Sequence, residues 1–128
     1  MNRSHTASRD GRFDVLAEAC PTRQVINRIG DRWSLLVLYA LERETLRVQQ
    51  LRRAVDGVSQ KMLTQTLRNL ERDGLVRREV FASVPPRVEY SLTTLGKGLA
   101  RRIRSIREWA YEHMDEIDGA REHYDARP

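Results

Sequence analysis

The sequence predicts a mainly α-helical fold that carries one small antiparallel β-hairpin, and three observations support it. Between Gly57 and Gly74, Leu63, Leu67 and Leu70 recur at intervals of four and three, the repeat of one helix face. Directly afterwards Val76 and Val80, then Val88, Tyr90 and Leu92, alternate with polar residues on either side of Pro85-Pro86, as two short strands and their tip would. Beyond them an apolar residue returns every third or fourth position from Leu95 to Ile117, the pattern of a long helix.

A chain of 128 residues encloses one hydrophobic core and leaves little for a second domain. Residues 14–128 are therefore read as one domain, preceded by a polar, flexible tail over residues 1–13. The formal charge of +5, from 23 Lys and Arg against 18 Asp and Glu, favours a polyanionic partner while leaving a mixed surface. A single cysteine rules out a disulfide within the chain. His5, His113 and His123 are scattered, so no metal or cofactor is expected. No apolar run approaches the ~20 residues of a membrane span, and the first residues lack a secretory apolar stretch. A cytoplasmic protein without a membrane partner is expected.

Taken in order, Cys20-Pro21-Thr22 reads as a helix entry, because proline suits the first helical turn; Val25, Ile26 and Ile29 then give an apolar face that ends near Gly30. Asp31 caps the next helix, residues 32–43, whose nearly continuous apolar run from Trp33 to Leu41 implies contacts on more than one side. This is the central core helix, and Trp33 is read as core rather than ligand site. Val48, Leu51 and Val55 give a short helix with Arg52 and Arg53 turned outward.

After the break Asp56-Gly57-Val58, Ser59 caps a helix that Gly74, through a left-handed conformation, ends. At about 100° per residue, Lys61, Thr64, Gln65, Arg68 and Arg72 fall opposite the leucines. Lys and Arg neutralise phosphates, while Gln and Thr read base edges in a major groove. Two short helices joined by a tight turn, the second polar on its outer face, form a helix-turn-helix, and a hairpin directly after it is a wing. The predicted fold is thus a winged helix-turn-helix with N- and C-terminal dimerisation helices. Ser59, Gln60, Lys61, Thr64, Gln65 and Arg68 are the candidate contacts to double-stranded DNA, joined by Arg87 at the wing. Arg78, on the side of Val76 and Val80, is read as a structural ion-pair partner.

The last helix, residues 94–117, would be over ~30 Å long at ~1.5 Å per residue, more than so small a core covers. Leu99, Ile103, Ile106, Trp109, Ala110, Met114 and Ile117 are therefore expected to meet a second copy of the chain, with His113 beside them. Its charges segregate, Arg101, Arg102, Arg104 and Arg107 preceding Glu108, Glu112, Asp115, Glu116 and Asp118. That pattern suits a crossing or antiparallel partner helix, and equally a solvated face.

With these segments placed, the sequence resembles the HxlR-type regulators, winged helix-turn-helix proteins related to the MarR family. The matching stretches include Cys20-Pro21, Ile29-Gly30-Asp31-Arg32-Trp33, Val58-Ser59-Gln60-Lys61-Met62-Leu63-Thr64-Gln65, Leu70-Glu71-Arg72-Asp73-Gly74-Leu75-Val76 and Val84-Pro85-Pro86-Arg87-Val88-Glu89-Tyr90. The resemblance covers residues 20–109 and implies a homodimeric repressor or activator. Two-fold symmetry would place it on a pseudo-palindromic operator. Where the family commonly has an aromatic and then an acidic residue before the recognition helix, this chain has Val48 and Gln50.

Cys20 lies at a predicted helix N-terminus with Arg23 close by, and the helix dipole and the cation both favour the thiolate. The resemblance adds that some of these regulators answer oxidants, quinones or aldehydes through a cysteine at this place. Cys20 is accordingly a candidate redox sensor, and a small-molecule oxidant or electrophile a candidate effector; a small buried hydrophobe is the alternative reading. With no second cysteine, the available products are an intersubunit Cys20–Cys20 disulfide, a mixed disulfide or an electrophile adduct. An enzyme using Cys20 as nucleophile would need a histidine base, and none lies between Thr6 and Glu112, so no enzyme is expected. Against a protein-interaction module or anti-regulator without DNA binding stand Lys61, Arg68 and Arg87.

Overall fold

The computed structural model describes residues 13–128. The tail expected over residues 1–13 lies, except for Phe13, outside the described residues, as does His5. The elements run α1 (Pro21–Gly30), α2 (Arg32–Arg43), α3 (Val48–Ala54), α4 (Gln60–Arg72), β1 (Val76–Phe81), β2 (Arg87–Leu92) and α5 (Thr94–Asp125).

Polar caps set the helix starts. Asp31 Oδ2 accepts the Ser34 backbone N–H at 3.0 Å and the Ser34 hydroxyl at 2.8 Å, and Ser59 Oγ accepts the Met62 N–H at 3.1 Å. At the other end of α4, Gly74 takes a φ of 76°, its N–H reaches the Glu71 carbonyl, and the Leu75 N–H reaches the Leu70 carbonyl. This left-handed ending satisfies the last carbonyls and turns the chain into β1. Gly57, in the turn before α4, has a φ of 87°. Thr93 serves two elements, accepting the Gly96 N–H and donating its hydroxyl to the Gly74 carbonyl at 2.6 Å.

The core forms around α2. Val37, Leu38 and Leu41 pack with Leu51 of α3, Leu63, Leu67 and Leu70 of α4, and Ala100 and Ile103 of α5. Full burial of one such leucine contributes ~1.5–3 kcal/mol, which is why the leucine face of α4 turns inward and its polar face outward. Trp33 packs against the rim of this core, its ring 4.2 Å below the Arg32 guanidinium.

The hairpin pairs antiparallel from Val76↔Leu92 to Phe81↔Arg87. Its root also gains a partner, since Leu46 and Tyr90 exchange both backbone hydrogen bonds, at 3.0 and 2.8 Å. Val76, Tyr90 and Leu92 are buried, but Val80, expected on the inner face, is 54% exposed. The outer half of the hairpin therefore stands clear of the body. Arg78, opposite Tyr90, is exposed and has no acidic partner among the described residues, so its reading as an ion-pair residue is corrected.

Helix α5 extends past the 94–117 expected, to Asp125. Gly119 does not end the helix, and Asp118 pairs with Arg121 one turn on, so the helix continues beyond its apolar stripe. The stripe itself divides. Ile103, predicted at a dimer interface, is instead buried in the protomer's own core, and Leu99 packs against that core. Ile106 and Trp109 are more than half exposed, and Ala110, Met114 and Ile117 are half-buried. Arg104 and Arg107 are committed within the chain, the first to Glu42 of α2 at 2.6 Å and the second over the Tyr39 ring at 3.9 Å. Only Arg101 and Arg102 of that basic cluster face away from such contacts with α2. Helix α1 has no buried residue, and its Val25 and Ile26 are about half exposed.

Candidate nucleic-acid interface

The outward face of α4 carries Gln60, Lys61, Gln65 and Arg68 in the open, with Ser59 at its cap and Thr64 half-buried at the edge. Neither Lys61 nor Arg68 has an ion-pair partner among the described residues, so both charges are available to an anion. Met62, 43% exposed, joins this face although the leucine repeat did not single it out.

Two side chains that sequence reasoning passed over orient the glutamines. Arg52 of α3 donates to Gln60 Oε1 at 3.2 Å, which leaves the Gln60 amide hydrogens outward. Gln65 donates through Nε2 to Asn69 Oδ1, also at 3.2 Å, and keeps Oε1 and one N–H for a ligand. A signal for Asn69 was present in its i+4 spacing from Gln65. For Arg52 only the packing of α3 on α4 supplies it.

At the wing, Arg87 is held rather than loose: its Nε lies 3.0 Å from Glu89 Oε2 and its guanidinium 4.4 Å from the Phe81 ring centre. Val84 at the tip is fully exposed, and the Val84–Pro85 peptide bond is cis.

Cys20 is the N-cap residue of α1 and is buried. Burial pushes its thiol up, but hydrogen bonds from the backbone of Asp14, Thr22 and Arg23 and from the Thr22 side chain together bring it below its ordinary value. The Asp14 N–H lies 3.1 Å from Sγ. The predicted aid from the Arg23 cation is absent, because that guanidinium is turned to the Leu16 carbonyl at 3.3 Å. A thiol held low forms thiolate at lower pH than an unfolded cysteine does. Its stabilising effect is complete above the unfolded value and fades as pH falls through the folded one. Alkylation of the native protein by iodoacetamide should accordingly rise at a lower pH than that of the urea-unfolded chain. Coincident pH profiles would remove this assignment. From the far end of α1, Arg28 Nε reaches Asp73 Oδ2 at 2.8 Å, tying the helix that Cys20 heads to the C-cap of α4.

No group of His, Cys, Asp and Glu able to hold a metal ion occurs among the described residues, and no helix among them is long and apolar enough to cross a membrane.

A helix pair joined by a glycine turn, an exposed polar face on the second helix and a hairpin beside it define a winged helix-turn-helix transcriptional regulator. The chain belongs to the HxlR-like helix-turn-helix family, whose model matches residues 28–118. It is 40% identical over 109 residues to YtfH of Escherichia coli K12, an uncharacterized HTH-type transcriptional regulator, across 85% of this chain and 86% of that protein. Its structure is similar to that of ytfH from Salmonella typhimurium, with a TM-score of 0.81 and 40% identity over 86% of this chain and 98% of the other. It is also similar to the redox regulator HypR in its reduced form, with a TM-score of 0.72 and 36% identity over 77% and 98% of the two chains.

Proposed function

We propose that this protein is a sequence-specific, homodimeric DNA-binding regulator that acts in the cytoplasm on a pseudo-palindromic operator. The observation that carries this reading is the exposed Gln60-Lys61-Gln65-Arg68 face of α4, whose Lys61 and Arg68 have no ion-pair partner among the described residues, backed by fully buried leucines. Dimerisation through α1 and α5 is supported by the apolar groove of about 460 Å³ that Val25, Leu75, Leu95 and Leu99 line, continued by exposed Ile106 and Trp109. Burying that surface against a second copy would set two α4 helices about one DNA turn, roughly 34 Å, apart. Selecting bound genomic fragments tests the reading. Inverted repeats with half-site centres one turn apart are expected, and bound fragments without any repeat would overturn it.

Within that operator, Gln65→Ala should reduce the preference for operator over random duplex by about 1–3 kcal/mol, the worth of a bidentate base contact. An unchanged preference would take Gln65 out of base reading.

Cys20 is the proposed switch, a reading favoured by its lowered thiol and by the similarity to HypR. In an oxidised dimer two Cys20 thiols would give up two protons and two electrons to the oxidant as the S–S bond forms. Strain introduced at the head of α1 would pass through the Arg28–Asp73 pair to the end of α4 and alter the spacing of the two recognition helices. Operator titrations of wild type and Cys20→Ser, with and without diamide, should differ only for wild type. Equal responses would leave Cys20 as a packing residue.

A further inference from the structure

Where the entrance of α3 faces β2, a polar notch of about 260 Å³ is lined by Thr45, Arg47, Gln50, Arg87 and Glu89. A second groove, of about 560 Å³, shares both arginines and reaches Ser83, Pro85 and Pro86 near the wing tip. Arg47 is exposed and has no ion-pair partner among the described residues. Its backbone is fixed, since Gln50 Oε1 accepts the Arg47 N–H at 2.8 Å. Arg87 is fixed through Nε by Glu89 and from below by Phe81, an arrangement that leaves its two terminal nitrogens for a ligand.

Two guanidinium groups against one carboxylate make the notch cationic; that of Arg87 is anchored before any ligand arrives, and that of Arg47 extends from a fixed backbone. Guanidinium donors converging across a concavity suit the oxygens of a phosphate. The helix α3, which begins beside Arg47, also reaches Gln60 of α4 through Arg52, so the notch and the recognition face share one supporting element. A notch that opens into a groove running to the wing tip, beside the helix that supports the recognition face, fits a nucleic-acid strand better than a free ion.

We propose that Arg47 and Arg87 together clamp one backbone phosphate of duplex DNA in this notch, with Glu89 holding Arg87 in position. This rests on the DNA-binding reading and extends the interface to Arg47, a residue outside both the recognition helix and the wing. The test is salt-dependent binding of the full chain to a random duplex. Wild type, Arg47→Ala, Arg87→Ala and the double variant are compared, with Arg121→Ala, at the far end of α5, as the charge control. Loss of one phosphate contact lowers the slope of log K against log salt by ~0.9. The double variant, which leaves that phosphate without a cation, should show that fall; Arg47→Ala alone should weaken random and operator DNA by the same factor with a smaller fall, while Arg121→Ala keeps the wild-type slope. Because both arginines hold one phosphate, the double variant should lose less affinity than the two single losses multiplied. Wild-type affinity for Arg47→Ala, a wild-type slope for the double variant, or full multiplicativity in it, overturns the clamp. A wild type that binds no duplex at any salt overturns the DNA-binding reading itself, and the clamp with it. Arg47 is exposed, so unchanged thermal melting of Arg47→Ala separates these outcomes from misfolding.

Discussion

Replacing Ile106 and Met114 together by glutamate should give folded monomers that bind operator DNA on the order of a hundredfold more weakly, because two linked half-site contacts become one. Both side chains lie on the part of α5 that the protomer's own core leaves uncovered: Ile106 is 54% exposed and Met114 half-buried. Charges there cost little in an isolated chain but cannot be buried unpaired against a second copy. Ile103→Glu makes the contrast one turn earlier. That residue is 1% exposed, so a carboxylate there should unfold the protein rather than dissociate it. Sedimentation velocity and a urea melt distinguish the two. If Ile106→Glu/Met114→Glu still sediments as a dimer, the interface lies elsewhere, with the exposed face of α1 the next surface to alter.

Gly96→Ala is expected to destabilise the protein by about 3 kcal/mol, at the upper end of the usual cost of overpacking. Gly96 is buried in the first turn of α5, where a Cβ would be driven into the backbone carbonyl of Leu75. That carbonyl cannot swing away, because it accepts the Thr93 N–H at 3.1 Å. Relief would require α5 to move off the junction of α4 and β1. Gly119, further along the same helix, has open space around its Cβ position. Alanine there should stabilise by up to ~1 kcal/mol, the ordinary difference in helix propensity. Urea denaturation of the two variants should therefore give opposite signs. A neutral Gly96→Ala would mean that α5 can draw back from Leu75 at little cost.

Much of this architecture was legible in the residues. The caps Asp31 and Ser59, the left-handed Gly74 and the leucine repeat of α4 are local devices whose physics acts within a few residues, and each behaves in the fold as its sequence context implies. Alternation identified the hairpin in the same way. What misled were inferences along α5 and the hairpin that needed to know which surface covers which. The stripe from Leu95 to Ile117 has one periodicity, yet Ile103 is core, Leu95 is 63% exposed, and Ile106 opens outward. Val80 alternates correctly and still projects from the body.

The candidate site divides along the same line. Helical phase alone placed Lys61, Gln65 and Arg68 on one exposed face, with Thr64 at its half-buried edge. It could not show that Arg52 and Asn69 orient the two glutamines, that Glu89 and Phe81 hold Arg87, or that Arg23 turns away from Cys20. The sequence by itself determined the helices, their caps, the wing and the polar face of α4, because those follow from hydrogen bonding and periodicity between near neighbours. Only the tertiary structure decided the Arg28–Asp73 link between α1 and α4, the close approach of Gly96 to Leu75 and the Arg47–Arg87 notch. Each of these joins different elements, and the distance between elements is set by how side chains fill the shared core, which no local pattern encodes.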